Sequence, residues 1–170
     1  MKRIVLTYGL ISGVLIATFT VCSIAYCYAT KSFEGNMLLG YAAMILAFSL
    51  VFVGVKNFRD KDGGGKISFG NAFKIGLYIA LIASSIYVLA WLIDYYVFIP
   101  DFLEKFSEYG LEKIKADGAS QTEIASKTAE MEGYKKMYSN PFGVIFLTYM
   151  EILPVGLVVS LISALILKRK

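Results

Sequence analysis

Four long apolar stretches, separated by polar links, dominate the pattern of this chain. They run over about residues 4–29, 37–55, 69–93 and 142–167. Each is roughly 19 to 26 residues, long enough to cross a hydrocarbon core of about 30 Å as an α-helix. The links between the first three runs are short, and the link between the third and fourth is long. The pattern predicts an all-α membrane protein with four transmembrane helices in a compact bundle, forming one integral membrane domain over residues 1–170.

The long link, residues 97–140, has a helical pattern of its own. Pro100 stops the third span, and Phe102, Phe106, Tyr109 and Lys113 follow at helical spacing until Asp117-Gly118 breaks the run. Ser120 and Glu123 then form a capping-box pattern. After them Ile124, Thr128, Met131, Tyr134 or Lys135, and Tyr138 recur at three- and four-residue steps. Asn140-Pro141 supplies a cap and a first helical position for the fourth span. A periplasmic helical hairpin is expected, partly apolar on one face. It is either a lid over the bundle or, as the pattern favours, a solvated connector with an interfacial stripe.

Composition agrees with membrane residence. The chain is 57% hydrophobic and 18% charged, with a mean hydropathy of +0.63, well beyond an ordinary soluble domain. Lys2 and Arg3 ahead of the first run raise the possibility of a secretory signal. A signal's apolar region spans roughly 7 to 15 residues, whereas Ile4 to Ala29 carries no charge at all, and Phe19-Thr20-Val21 before Cys22 lacks the small residue of a lipoprotein cleavage site. The first run therefore reads as a retained span.

The placement of Lys and Arg fixes the expected orientation. Lys2 and Arg3, then Lys56, Arg59, Lys61 and Lys66 with Lys74 just inside the next span, then Lys168, Arg169 and Lys170 fall on one side. The first link has only Lys31, and the long link balances its lysines with more acids. By the positive-inside rule both termini are cytoplasmic. The net charge of +4 is then mostly a topology signal, and no nucleic-acid partner is needed to account for it. Tyr26, Tyr28, Trp91, Tyr95, Tyr96, Tyr138 and Phe142 gather at the outer boundary as an interfacial belt, with Phe58, Phe69 and Phe73 at the inner one.

The chain contains no histidine and two cysteines, Cys22 and Cys27. Five residues apart on one helix, the cysteines point to different faces and read as small packing residues. Histidine-based catalysis is excluded, no metal site is visible, and no cofactor is expected.

The link from Lys56 to Gly70 has the glycines and lysines of a phosphate loop without its spacing, because Ile67 rather than Ser or Thr follows Lys66. Asp60-Lys61-Asp62 with Gly63, Gly64 and Gly65 reads instead as a tight turn. Its cations Lys56, Arg59, Lys61 and Lys66 are candidate contacts for anionic lipid headgroups.

This segment also carries a family resemblance. Phe58-Arg59-Asp60, the glycine run, Ile67-Ser68-Phe69-Gly70 and Ala72-Phe73-Lys74 resemble the signature region of a bacteroidete membrane family, domain of unknown function 4199. Glu151, Leu153-Pro154-Val155-Gly156-Leu157 and the run Ser160 to Ile166 are similar to that family's last span. The resemblance covers essentially the whole chain. It implies a four-span protein of the bacterial inner membrane, and it brings no activity, ligand or catalytic residue.

Small residues recur every four positions in three spans: Gly9, Gly13 and Ala17, then Gly76, Ala80 and Ser84, then Gly156, Ser160 and Ala164. Such ladders let helix backbones approach closely where lipid supplies no hydrophobic drive. They serve either the bundle itself or a homo-oligomer face.

The one carboxylate deep in an apolar run is Glu151. About fifteen Val, Ile, Leu and Phe residues at roughly −0.3 to −0.6 kcal/mol each outweigh one acid near +3, so the span still inserts. With the midplane near Pro154, Glu151 lies roughly 5 Å toward the outside and Asp94 roughly 17 Å above the midplane. Asp94 is expected to be solvated beside Tyr95 and Tyr96, and is a secondary candidate. On a helical wheel Glu151 is about 140° from Gly156, sharing its face with Thr148 and Val155. Pro154 frees the carbonyl of Met150 next to it.

Glu151, Thr148 and Pro154 therefore form the candidate intramembrane polar site. In one reading a protonated Glu151 donates an internal hydrogen bond, with Tyr8, Thr18, Ser49 or Tyr87 nearby, in a non-enzymatic structural, assembly or lipid-interacting module. In the other, Glu151 handles protons or cations in a small transporter or channel. Membrane lipids, a second copy or another membrane protein are the expected partners.

Overall fold

The computed structural model of the protein describes residues 1–33 and 37–169. Lys170, counted above among the basic residues, lies outside them. The chain forms α1 (Lys2–Thr30), α2 (Met37–Lys61), α3 (Phe69–Ile93), a π-helical turn (Asp94–Phe98), α4 (Phe102–Ala116), α5 (Gln121–Tyr138) and α6 (Pro141–Leu167). The helices α1, α2 and α6, together with α3 extended through Phe98, are long and apolar enough to cross a membrane. This is a multi-pass helical membrane protein.

Local chemistry sets the ends of these helices. Ser68 accepts from the Asn71 amide at 3.3 Å to start α3. Asn140 accepts from the Gly143 amide at 2.9 Å at the start of α6, with Pro141 in the first turn, where its missing N–H costs nothing. At α5 the Ser120 amide reaches Glu123 Oε2 at 2.7 Å while the Glu123 amide reaches Ser120 Oγ at 3.3 Å. The Ser120 backbone N–H, and then its hydroxyl, hold the Glu123 carboxyl below its ordinary range. α2 continues to Lys61, beyond the apolar run that ends near residue 55, because Lys56 to Lys61 remains helical while leaving the hydrocarbon pattern.

The glycine run closes α2. Asp62 and Gly63 both donate to the Phe58 carbonyl at 2.9 Å, and Gly65 donates to the Arg59 carbonyl at 2.9 Å. Gly64 and Gly65 take φ of 59° and 83°, conformations that side chains disfavour. Ile67 and Arg169 then pair backbone to backbone at 3.1 and 2.9 Å, tying the start of α3 to the end of α6.

Within the bundle α3 packs most extensively, against α6 on one side and α1 on the other. α2 lies against α6 and α1. α1 and α6 make no extensive contact with each other.

The ladder residues lie in these seams. A Cβ at Gly9 would stand 2.8 Å from Ile82 Cβ, and one at Gly13 would stand 2.7 Å from Ile86 Cδ1. One at Gly76 would be 3.0 Å from Ser160 Cβ, and one at Gly156 would be 2.9 Å from Ala80 Cβ and 3.0 Å from Phe48 Cζ. Ala80, Ser84 and Ala164 are buried, and Ala17 is half-buried. Gly54, which belongs to no ladder, is equally close: its Cβ would fall 2.6 Å from Ile79 Cδ1.

Polar groups inside the bundle mostly bond to backbone. Ser12 Oγ crosses from α1 to the Ala47 carbonyl of α2 at 2.7 Å. Thr148 and Ser160 donate back to Val144 and Gly156 at 2.7 Å each. The outward faces are apolar, with Leu6, Leu10, Val14, Leu46, Val158 and Ile166 all exposed.

Candidate functional site

α6 carries Thr148, Glu151 and Pro154 on one continuous helix. Thr148 is buried and already bonded to its own helix. Glu151 and Pro154 are exposed. The Glu151 side chain reaches the bundle surface, although much of its surroundings is protein. Among the described residues it makes no hydrogen bond and no ion pair.

The four expected partners of Glu151 are placed differently from one another. Tyr8 accepts from Asn57 Nδ2 at 2.9 Å near the far end of the bundle. Ser49 donates to the Leu46 carbonyl at 2.6 Å. Thr18 is exposed on α1. Tyr87 is the one that lies close: it is buried on α3, within electrostatic range of Glu151, and its hydroxyl engages Thr20 of α1.

A second tyrosine reaches the same place from outside the spans. Tyr138, at the end of α5, faces the Trp91 indole and the Thr148 hydroxyl and feels the Glu151 charge. Burial pushes its phenol above the ordinary value, the Trp91 contact offsets part of that, and Glu151 adds to it. The phenol therefore keeps its proton at neutral pH. Its position follows from the capped α5–α6 junction, since Asn140 and Pro141 turn the chain immediately after Tyr138.

α2 gives this level little cover. Phe48 of α2 meets Gly156 of α6, and both helices run from the hairpin end toward the terminal end. Counting equal rises back along each puts Glu151 level with Ala43. None of the residues 37–43 is buried.

Asp94 differs from its expectation of solvation. It is 8% exposed, and its Oδ2 has no hydrogen-bond partner among the described residues. Asp94 lies three residues after Trp91 and seven after Tyr87, with its backbone still α-helical, and this register sets it on the buried face of α3, in a tight seam with Thr20, Tyr87 and Trp91. The seam holds no water-sized space.

At the hairpin end, Tyr28 of α1 donates to Asp101 Oδ1 at 2.6 Å, and Lys105 Nζ meets Asp101 Oδ2 at 2.6 Å. Lys105 also lies 4.5 Å above the Tyr28 ring centre. Lys105 first, and Tyr28 second, hold the Asp101 carboxyl below its ordinary range. Trp91 and Phe102 meet edge to face at 5.4 Å beside this group. The local sequence pattern carries no sign of this tie, which joins residues 73 apart.

Of the basic link residues, Lys56, Lys61 and Lys66 are exposed. Arg59 is buried, with Nε 2.7 Å from Asp60 Oδ1. Cys22 is exposed and Cys27 half-buried. The described residues contain no group of three or more His, Cys, Asp or Glu side chains arranged to hold a metal ion.

Comparison with known families finds that residues 7–169 match the family described as protein of unknown function (DUF4199). Comparison with curated proteins and with solved structures finds no match. The chain belongs to the DUF4199 family.

Proposed function

For this DUF4199 protein we propose a non-enzymatic role in membrane assembly, in which Glu151 is the polar contact for a helix of a partner membrane protein. The observation that carries the reading is a carboxyl at the bundle surface, inside a span, with no internal donor among the described residues. Hydrocarbon offers such a group nothing, and an acid near a helix centre costs about 2.5 to 3.5 kcal/mol. A partner helix presenting a hydroxyl, amide or ammonium donor beside the uncovered turns of α2 relieves that cost. The non-enzymatic part rests on a chain without histidine and on Glu151 having no nucleophile bonded to it. In this reading the protein sits in the bacterial inner membrane with both termini cytoplasmic, as the lysine and arginine placement argues.

The test is photo-crosslinking from Met150, which is 58% exposed next to Glu151, in native membranes. A discrete partner band is expected. Glu151→Gln, whose amide still hydrogen-bonds, retains it, and Glu151→Leu loses it. An unchanged band in Glu151→Leu removes the assembly reading. Proton- or cation-coupled transport is the rival. It has less support, since the seam beside Asp94 and the cleft at the terminal end are both lined by other residues. A pH-dependent ion flux in liposomes that vanishes in Glu151→Gln would favour it.

A further inference from the structure

We propose that the cleft between α1 and α2 at the terminal end of the bundle is a binding site for the phosphate-bearing headgroup of an anionic phospholipid. The cleft is open on one side and offers about 470 Å³, and its walls include Arg3, Thr7, Tyr8, Asn57, Lys61 and Asp62.

Its floor is built by close packing. Gly54 lets the Tyr8 ring lie directly on α2, where a Cβ would be 3.1 Å from Tyr8 Cδ2. Asn57, three residues on, then donates from Nδ2 to the Tyr8 oxygen at 2.9 Å. That bond uses Tyr8 as an acceptor. The phenolic hydrogen has no acceptor among the described residues and is free to donate to an anion in the cleft.

The walls supply charge. Neither Arg3 nor Lys61 is ion-paired among the described residues. The carboxylate in the lining, Asp62, is matched by the Met1 ammonium at 3.3 Å. A phosphate therefore meets two uncommitted cations and two hydroxyls, those of Tyr8 and Thr7, with guanidinium geometry suited to bidentate contact.

The surroundings select a lipid over a soluble phosphate. Ile11 and Leu15 continue the cleft face of α1 toward the bilayer and are 46% and 52% exposed. Val53 and Leu46 do the same on α2, at 43% and 74%. Acyl chains leaving the headgroup have an apolar path along both helices.

The test titrates protein carrying a C-terminal tag, in neutral detergent, with short-chain phosphatidylglycerol, using short-chain phosphatidylcholine as the neutral comparison. Saturable, phosphatidylglycerol-selective binding is expected. Arg3→Ala and Lys61→Ala each weaken it about fivefold, the equivalent of about 1 kcal/mol per cation. Tyr8→Phe, which keeps the ring on Gly54, weakens it as well. Lys135→Ala with Lys136→Ala, exposed on α5 and outside the cleft, leaves it within about twofold. Equal losses in the Lys135 and Lys136 pair mean diffuse surface attraction and overturn the site. Glycerol 3-phosphate displacing the lipid at matching concentrations overturns the lipid assignment in favour of a soluble phosphate ligand. Unchanged helicity and unfolding temperature of each variant without lipid keep a folding defect from imitating either result.

Discussion

A methyl group added at Gly156 has nowhere to go, because Ala80 Cβ and the Phe48 ring already stand 2.9 and 3.0 Å from where it would be. Both neighbours belong to packed helices, so α6 must move away from α3 or α2 to admit it. Gly156→Ala is expected to destabilise the protein by about 1 to 3 kcal/mol. Gly40→Ala, whose Cβ would meet nothing within 4 Å, is expected to be neutral or mildly stabilising through helix propensity. Unfolding in detergent, followed by helix content, separates the two. Gly156 was legible in sequence because four-residue spacing is itself the signature of a close seam. The surface position of Glu151 was not. A helical wheel gives the angle between Glu151 and Gly156 on their own helix, but it does not say that α2 is uncovered at that level or that Tyr138 enters from α5. Asp94 was misread for a different reason: its neighbours Tyr95 and Tyr96 suggested a solvated boundary, whereas its spacing from Tyr87 and Trp91 sets it on the buried face of α3.

The hairpin shows how much of an element can be read locally and where that stops. The caps at Ser120, Glu123 and Asn140 were visible as short patterns, and the structure makes each of the bonds they imply. What fastens the hairpin to the bundle was not visible, because Tyr28 and Asp101 meet across a sequence gap that periodicity does not bridge. This tie predicts a pH dependence. The Asp101 carboxyl is held below its ordinary range in the folded protein, so its ionised form is favoured by folding. Its contribution is complete above the unfolded carboxylate range and is lost as pH falls through the lower folded value. Protection of the α4 amides, taken against the intrinsic exchange rate at each pH, should therefore be high at neutral pH and fall only in strong acid. Asp101→Asn keeps the size of the side chain and removes the charge, and it should show the lowered protection already at neutral pH. Equal α4 protection in Asp101→Asn and wild type at neutral pH would assign the docking to the remaining contacts, Phe102 with Trp91 and Phe33 and Tyr109 with Ser32.

At the scale of the whole molecule, four spans of similar length and hydropathy allow several arrangements, and the sequence limits them only through the small-residue seams. Gly9 and Gly13 face α3, while Gly76 and Ala80 of α3 face Ser160 and Gly156 of α6. Two close seams on α3, one lined by the glycines of α1 and one by its own Gly76, place it between α1 and α6 and keep those two helices apart. A cysteine pair tests this arrangement directly. A Cβ at Gly76 lies 3.0 Å from Ser160 Cβ, and a disulfide asks for about 3.5 to 4.5 Å, so Gly76→Cys with Ser160→Cys needs only a slight parting of the helices. In a background with Cys22 and Cys27 replaced by serine, and with a protease site in the Asp117-Gly118 turn, oxidation should hold the two fragments together after cleavage. Val14→Cys with Leu157→Cys places thiols on α1 and α6 at positions that are both exposed, and it should let the fragments separate. If the α1–α6 pair crosslinks as readily as the α3–α6 pair, the helix order is wrong. The surface around Glu151 would then lie inside a different seam, and the assembly reading would lose its exposed carboxyl along with it.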